Sequence, residues 1–428
     1  MDFTYGIDDK PNLGKLLLFG LQWLAVSVPA ILIIGGVVAA VQPDGSVITY
    51  LQKLFVLIAL VLLVQVLWGH KLPLVVGPAT VLLIGVLASM SQGVGVINSS
   101  LVIGGVILAV LAATGLFKYL KPLFTPRVIV VILMLIAFTL APVILNLVTG
   151  EGAVPAIYNF VFALVFAVIV FVANGLLKGI WKSTLAMWAL LLGSLAYFAL
   201  FGTFTPPPAE TAVLALPGDL IAPLAAPEAS VLIAFLICFL ALAINELGSI
   251  QSVGSLLKAD EMDTRVNRGM TVTGVGNALS GFAGVIGPVD FSLSPGVIAA
   301  TGCASRFALV PAALALMAIG FSPLLIGYLG SIPSPVIGVV LTYVMTAQIA
   351  AGLMLGEESS AFKSFDDGVI IGTPLLVGTV VAFMPTALAA QFSAATRPLL
   401  ANGFVAGVVL VLILEHLVYR KQPQQPQQ

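Results

Sequence analysis

The stretch Gly287-Pro288-Val289-Asp290-Phe291-Ser292-Leu293-Ser294-Pro295-Gly296 decides how this chain folds. It lies in a region apolar enough for a lipid bilayer, yet it cannot form one continuous helix. Pro288 and Pro295 each lack an amide donor, and each disfavours helix in the residue before it. Val289 to Phe291, between them, is short and able to run extended. Ser294 and Pro295 then read as the N-cap and first residue of a new helix. Broken backbone at membrane depth survives only inside protein or against a water-filled cavity. Transporters bind their solutes at such breaks, because a half-helix N-terminus offers N–H donors and a positive dipole end. Asp290 puts a carboxyl at the same point.

The rest of the chain suits a membrane. Of its 428 residues 60% are hydrophobic and 8% charged, where a soluble domain carries about 25% charged residues. A net charge of −1 makes no case for nucleic acid. Cys238 and Cys303 fall in apolar segments and read as buried thiols rather than a disulfide or metal site. Met1 to Lys10 holds no apolar run, so no cleaved signal peptide is expected. The Gln/Pro-rich tail 420–428 is expected to be disordered. The sequence has no nucleotide-binding loop, zinc spacing or Ser/His/Asp set. It therefore reads as neither an enzyme nor an ATP-driven pump, and no cofactor or metal is expected.

A span needs roughly 20 apolar residues. Fourteen candidate segments follow, some short: 15–41, 48–69, 73–90, 101–117, 123–147, 154–174, 183–204, 229–249, 269–286, the broken stretch quoted above, 307–330, 335–355, 369–389 and 398–418. A Pro-rich acidic loop fills 205–227, and a polar, amphipathic stretch fills 250–267. With both termini cytoplasmic, the inner loops and tails collect Lys10, Lys15, Lys71, Lys118, Lys121, Arg127, Lys178, Lys182, Lys258, Arg265, Arg268, Arg306, Lys363, Arg420 and Lys421. Only Lys53 and Arg397 fall outside, where Asp44, Glu151, Glu210, Asp219 and Glu228 lie instead. That asymmetry fixes the expected orientation in a bacterial inner membrane.

An internal repeat is visible. Val76-Gly77-Pro78 matches Ile286-Gly287-Pro288 at an offset of 210, and Thr125-Pro126 matches Ser334-Pro335 at 209. Gln22 and Glu246 also correspond, at an offset of 224. Seven segments per copy is odd, so the second copy must be inverted, as in secondary transporters. By the same offset Thr80 is the partner of Asp290 and should face the same cavity.

Ionisable groups inside spans are costly and mark pathways. Glu246 and Asp290 stand out as candidates to bind solute and carry a coupled proton. Asn277, Gln348 and Asn174 are candidates to line the path. Gly269, Gly274, Gly276, Gly281 and Gly284 read as permitting close helix packing. His70 and His416 fall at membrane edges and receive no role, and Glu415 reads as interfacial.

At several of these residues the chain resembles the nucleobase/ascorbate transporter family, which includes bacterial uracil and xanthine permeases. Gly20-Leu21-Gln22-Trp23 is similar to that family's first-segment Gln-His pair, with Trp in place of His. Lys71-Leu72-Pro73 through Gly77, Leu123-Phe124-Thr125-Pro126, Asn245-Glu246-Leu247-Gly248, Arg268-Gly269 through Gly281, and Ile332-Pro333-Ser334-Pro335-Val336-Ile337-Gly338 resemble its other motifs. In the tenth segment Gly296, Thr301 and Gly302 fit the family signature, but Leu293 and Ser294 replace its acid or Gln and its Asn. Asp290 is the candidate to supply the missing carboxyl.

The resemblance implies an all-α polytopic fold of 14 transmembrane segments in a 7+7 inverted repeat, with short strands in segments 3 and 10. It implies a core domain from 1–120 and 228–330, a gate domain from 121–204 and 331–419, and an external loop at 205–227. It further implies proton- or sodium-coupled symport of a small planar, nucleobase-like solute such as uracil or xanthine. The motion would be elevator-like, usually in a homodimer. Solute would contact Glu246, Asp290, Phe291, Leu293, Ser294, Gly296, Thr80 and Gln22. Phe291 or Trp23 would stack on the ring, and amides at Ser294 to Gly296 would take its carbonyl oxygens. Two alternatives are an anion transporter of the sulfate-permease type and a non-transporting membrane receptor or scaffold. The Glu246 carboxyl argues against an anion.

Overall fold

A computed structural model describes residues 3–42, 47–150, 152–393 and 395–419. Met1, Asp2, Asp44, Glu151, Arg420, Lys421 and the tail 420–428 lie outside the described residues. The first half of the chain comprises α1 (Leu13–Val41), α2 (Val47–Leu67), β1 (Val76–Pro78), α3 (Thr80–Ser89), α4 (Val94–Ala113), α5 (Pro126–Thr139), α6 (Ala141–Thr149), α7 (Ala156–Leu176), α8 (Gly179–Ser183) and α9 (Leu185–Phe201). The second half comprises α10 (Ala229–Leu257), α11 (Met262–Ala283), β2 (Pro288–Asp290), α12 (Ser294–Thr301), α13 (Leu309–Gly320), α14 (Pro323–Gly330), α15 (Ser334–Glu358), α16 (Phe365–Ala382), α17 (Thr386–Ala389), α18 (Arg397–Leu400) and α19 (Gly403–Ile413).

Among the described residues 8 helical segments are long and apolar enough to cross a bilayer alone, and up to 9 if a pair bent by 91°, Arg306–Gly320 and Pro323–Gly330, counts as one span. The bend falls where Gly320 and Pro323 interrupt the helix. Other expected segments are shorter apolar helices, or, for α11, a helix too rich in Gly, Thr and Asn to pass on hydropathy. Two boundaries differ from expectation. The polar stretch 250–267 is not separate, because α10 runs on to Leu257 and ends on Lys258 in the left-handed region, φ 50°. Ser294 is the first residue of α12 rather than its N-cap, a position held by Leu293 without a side-chain cap.

Helix packing divides the elements. In one group α1 packs on α2 and α13, α2 on α11 and α13, and α4 on α10 and α11. In the other α5 packs on α15, α16 and α19, while α6, α7 and α9 pack on α15. The α4–α11 crossing depends on glycine. A Cβ on Gly105 would lie 2.4 Å from Ala278 N, and one on Gly274 would lie 2.4 Å from Ala109 N. The two backbones touch because neither residue has a side chain.

The two interrupted segments meet as a two-stranded antiparallel ribbon. Val76 pairs with Asp290, Gly77 with Val289 and Pro78 with Pro288. Two flanking bonds extend it, from Ala79 N to Gly287 O at 2.8 Å and from Phe291 N to Val75 O at 2.9 Å. A short helix then leaves each strand, α3 from Thr80 and α12 from Ser294.

Candidate functional site

A cavity of about 570 Å³ lies against the ends of the ribbon. Its wall includes Val26, Ile33 and Ile34 of α1, Thr80 of α3, Asn245 of α10, Val289 of β2, Gly296 of α12, and Leu341, Tyr343, Val344 and Gln348 of α15. Phe291, Ser292 and Leu293, in the turn after β2, complete it. The volume suits a small ligand. Apolar side chains make most of the wall, and the polar groups are few. Gln348 Oε1 is buried and has no hydrogen-bond partner among the described residues.

Of the expected solute contacts, Thr80, Phe291, Leu293 and Gly296 are on this wall. Ser294 is buried beside it: its hydroxyl donates to Phe291 O at 2.8 Å and accepts from Val75 N at 3.1 Å. Gln22, on α1, is not on the wall. The amides expected to be bare at the start of α12 are already used, Ser294 N by Phe291 O at 3.2 Å and Gly296 N by Leu293 O at 3.0 Å. The amides of Ser292 and Leu293, immediately before α12, have no partner among the described residues.

Glu246 and Asp290 lie one layer behind the wall. Neighbours on a helix point about 100° apart, so Asn245 faces the cavity and Glu246 turns towards α11. Along a strand successive side chains alternate. Val289 and Phe291 therefore face the cavity and Asp290 points away from it. Thr80 and Asp290, equivalent by repeat offset, part company here: the first copy has turned helical at Thr80, while the second is still extended at Asp290.

This second layer is a buried polar cluster. Both Glu246 oxygens are occupied, Oε1 by Thr273 Oγ1 at 2.6 Å and Oε2 by the Asp290 amide at 2.8 Å. Thr273 Oγ1 in turn accepts from Gln65 Nε2 at 2.9 Å, which leaves the Thr hydrogen for Glu246. Asn277, one turn along α11, donates to Pro288 O at 2.9 Å, and Ser249 to Asp290 O at 3.0 Å. Asp290 is fully buried, and neither of its side-chain oxygens has a formed hydrogen bond. His70 Nε2 lies 3.2 Å from Oδ2 without a formed hydrogen bond.

Three functional groups carry little signal in the sequence. By sequence His70 falls at a membrane edge, but it is fully buried, because the chain folds back after α2 into β1. Asn245 carried a signal as the neighbour of Glu246. Arg127 reads in the sequence only as a loop charge, yet it makes two bonds to Glu415, at 2.8 and 3.0 Å, and a third to Asp367. This ties α5 to α16 and to the turn after α19, and it makes Glu415 a packed partner rather than an interfacial one.

Interrupted helices crossing beside a buried cavity, in a chain of apolar helices, define a membrane transporter fold. The Permease family model matches residues 14–387, and the chain belongs to that family, the nucleobase/ascorbate transporters. It is 29% identical over 437 residues to the "Putative purine permease CPE0397" of Clostridium perfringens, covering 99% of this chain and 94% of that one. It is 24% identical to the "Xanthine permease" of Bacillus subtilis, covering 96% and 95% of the two chains. Its fold is shared by the transmembrane domain of the cyanobacterial bicarbonate transporter BicA, with a TM-score of 0.66 over 87% of this chain and 97% of that domain, at 18% identity.

Proposed function

We propose that the protein is a secondary active symporter for a nucleobase, of the purine or xanthine type, across the bacterial inner membrane. The observation that carries this is the cavity beside the crossed strands in a chain whose relatives are named purine and xanthine permeases. A flat heterocycle fits between Phe291 and the aliphatic residues of α1 and α15. Its carbonyl oxygens would meet the open amides of Ser292 and Leu293, and its ring N–H groups would meet Asn245 and Gln348. Thr80, Leu293 and Gly296 complete the contact surface. Glu246 and Asp290 form the ion-responsive layer behind it, driven by a proton or sodium gradient.

The proposal extends to architecture. Pro78 and Pro288, separated by the repeat offset, pair with each other in the ribbon. A twofold axis relating two inverted copies would pass between them, which favours 14 segments as 7+7. The two packing groups fit a core and a gate that slide past one another in an elevator-like step, with both termini cytoplasmic and the protein a homodimer. Likeness of fold to an anion transporter speaks to architecture and does not choose the solute.

A thermal-shift titration of the purified chain with xanthine, uracil, hypoxanthine and sulfate tests the reading. A shift with a purine and none with sulfate is expected. A shift with sulfate alone would end it.

A further inference from the structure

The buried cluster behind the cavity contains two carboxyl groups and one imidazole, Glu246, Asp290 and His70, each with no exposed surface. Two carboxylates there would leave two negative charges in the interior, a costly arrangement unless they are paired. The nearby cations do not pair them. Arg265 Nη1 is spent on the carbonyls of His70 and Lys71 at 3.0 and 3.1 Å, and its Nη2 on Asp260. Arg306 is spent on Val66 O and Asp8, and Arg268 lies over the Trp68 ring. One proton must therefore reside within the cluster.

Hydrogen bonding says where. Glu246 meets a fixed donor at each oxygen, the Asp290 amide and a Thr273 hydroxyl oriented by Gln65. Two donors aimed at its oxygens stabilise the charged form, so Glu246 is the better-solvated anion of the two carboxyls. His70 Nδ1 accepts from the Leu72 amide at 2.9 Å. Its ring hydrogen therefore sits on Nε2, and the ring cannot take a second proton at Nδ1 without losing that bond. Asp290 remains: its carboxyl lies beside that of Glu246, neither of its oxygens has a formed hydrogen bond to steady a charge, and His70 Nε2 is 3.2 Å from Oδ2.

We propose that Asp290 is the proton-binding carboxyl of the transport cycle, that His70 is its positioning residue, and that both lie on the face of β2 turned away from the solute. This rests on the symport reading and narrows it, since it selects the proton as the coupling ion. The proton adds to an Asp290 oxygen that has no hydrogen bond, and His70 Nε2, 3.2 Å from Oδ2, is placed to orient the acid once it forms. Solute and proton do not touch. They communicate through β2, whose Val289 and Phe291 face the solute and whose Asp290 amide holds Glu246.

The full chain in proteoliposomes, with xanthine as probe, provides the test. In Asp290→Asn, uptake driven by a pH gradient should fall about tenfold further than xanthine counterflow does, a usual size for coupling between two sites. Its uptake should also lose the pH dependence of the parent. His70→Phe should behave similarly, and His70→Gln, which restores an N–H donor, should recover most of the coupling. A structural role alone would lower counterflow and driven uptake together. Infrared difference spectra give a second readout that needs no transport: the parent should show a protonated carboxyl band that Asp290→Asn removes and Glu246→Gln retains. Gradient-driven accumulation in Asp290→Asn equal to the parent, accumulation driven by sodium alone, or a band removed by Glu246→Gln would each overturn the assignment. Parent liposomes that move no nucleobase would instead remove the symport reading, while the spectra still decide which carboxyl holds the proton.

Discussion

The Asp290 amide donates to Glu246 Oε2 across 2.8 Å, so the strand that walls the cavity is tied to α10 by a side-chain carboxylate. β2 has only three residues and one partner strand, and such a ribbon has little stability alone. Glu246, Asn277 and Ser249 supply bonds that further strands would otherwise provide. The polar cluster thus shapes the cavity wall without entering it.

Glu246→Gln tests that role. A glutamine has one oxygen for two donors, so its amide nitrogen must face either the Asp290 N–H or the Thr273 hydroxyl. Leaving a buried donor unsatisfied costs about 1–3 kcal/mol. The expected result is a clear drop in Tm of the purified protein, deepened in Glu246→Ala. A Glu246→Gln variant as stable as the parent would show that the Asp290 amide does not depend on this carboxylate.

Much of this site was legible in the sequence. Pro288 and Pro295 announce a broken helix, and a carboxyl fifteen residues into an apolar run announces Glu246 as buried. Their proximity is what the family resemblance implies. What was hidden was direction. In an extended segment a shift of one residue reverses every side chain, and only the pairing of Val76 with Asp290 shows that Asp290 turns from the cavity. His70 and Arg127 were hidden for another reason. Their partners lie far along the chain, and only the tertiary fold brings Asp290 to His70, or Asp367 and Glu415 to Arg127.

Gly77 controls a residue it does not border in sequence. A Cβ there would lie 2.2 Å from Phe291 Cζ. Gly77→Ala should push the ring out of its place on the cavity wall and weaken xanthine binding by about tenfold, with loss of packing of roughly 1–3 kcal/mol. Phe291→Ala removes the object of the clash. The double variant should therefore be more stable than the two single effects added together, the signature of direct contact in a double-mutant cycle. Strict additivity in thermal unfolding would mean that Gly77 acts elsewhere.

Arg127 joins two acids on separate elements, Glu415 through two bonds and Asp367 through one, and both acids are almost fully buried. Arg127→Met would strand two carboxylates, and breaking such a pair costs about 3 kcal/mol or more. Arg127→Lys keeps the charge but loses the planar fork that reaches both partners, so it should fall between Met and the parent. The order of the three Tm values checks this. Lysine as damaging as methionine would mean that geometry, not charge, holds the group together.

Asn245 and Gln348 approach the cavity from opposite packing groups, α10 and α15. If a nucleobase sits between them, each amide loses a hydrogen bond to solute when replaced by alanine, and each loss should weaken xanthine binding by about tenfold. Asn174 is a useful contrast. Its Oδ1 accepts from Tyr343 OH at 3.2 Å, one layer out from the cavity, so Asn174→Ala should act only through the position of Tyr343 and have a smaller effect. Gln348 belongs to the group proposed as the gate, and a sliding core would carry solute past it. Gln348→Ala should then weaken binding more from one side of the membrane than from the other, whereas Asn245→Ala should weaken it equally from both. Measuring xanthine affinity in right-side-out and inside-out vesicles separates the two patterns. Equal losses from both sides for Gln348→Ala would argue for a cavity that closes in place rather than one that travels.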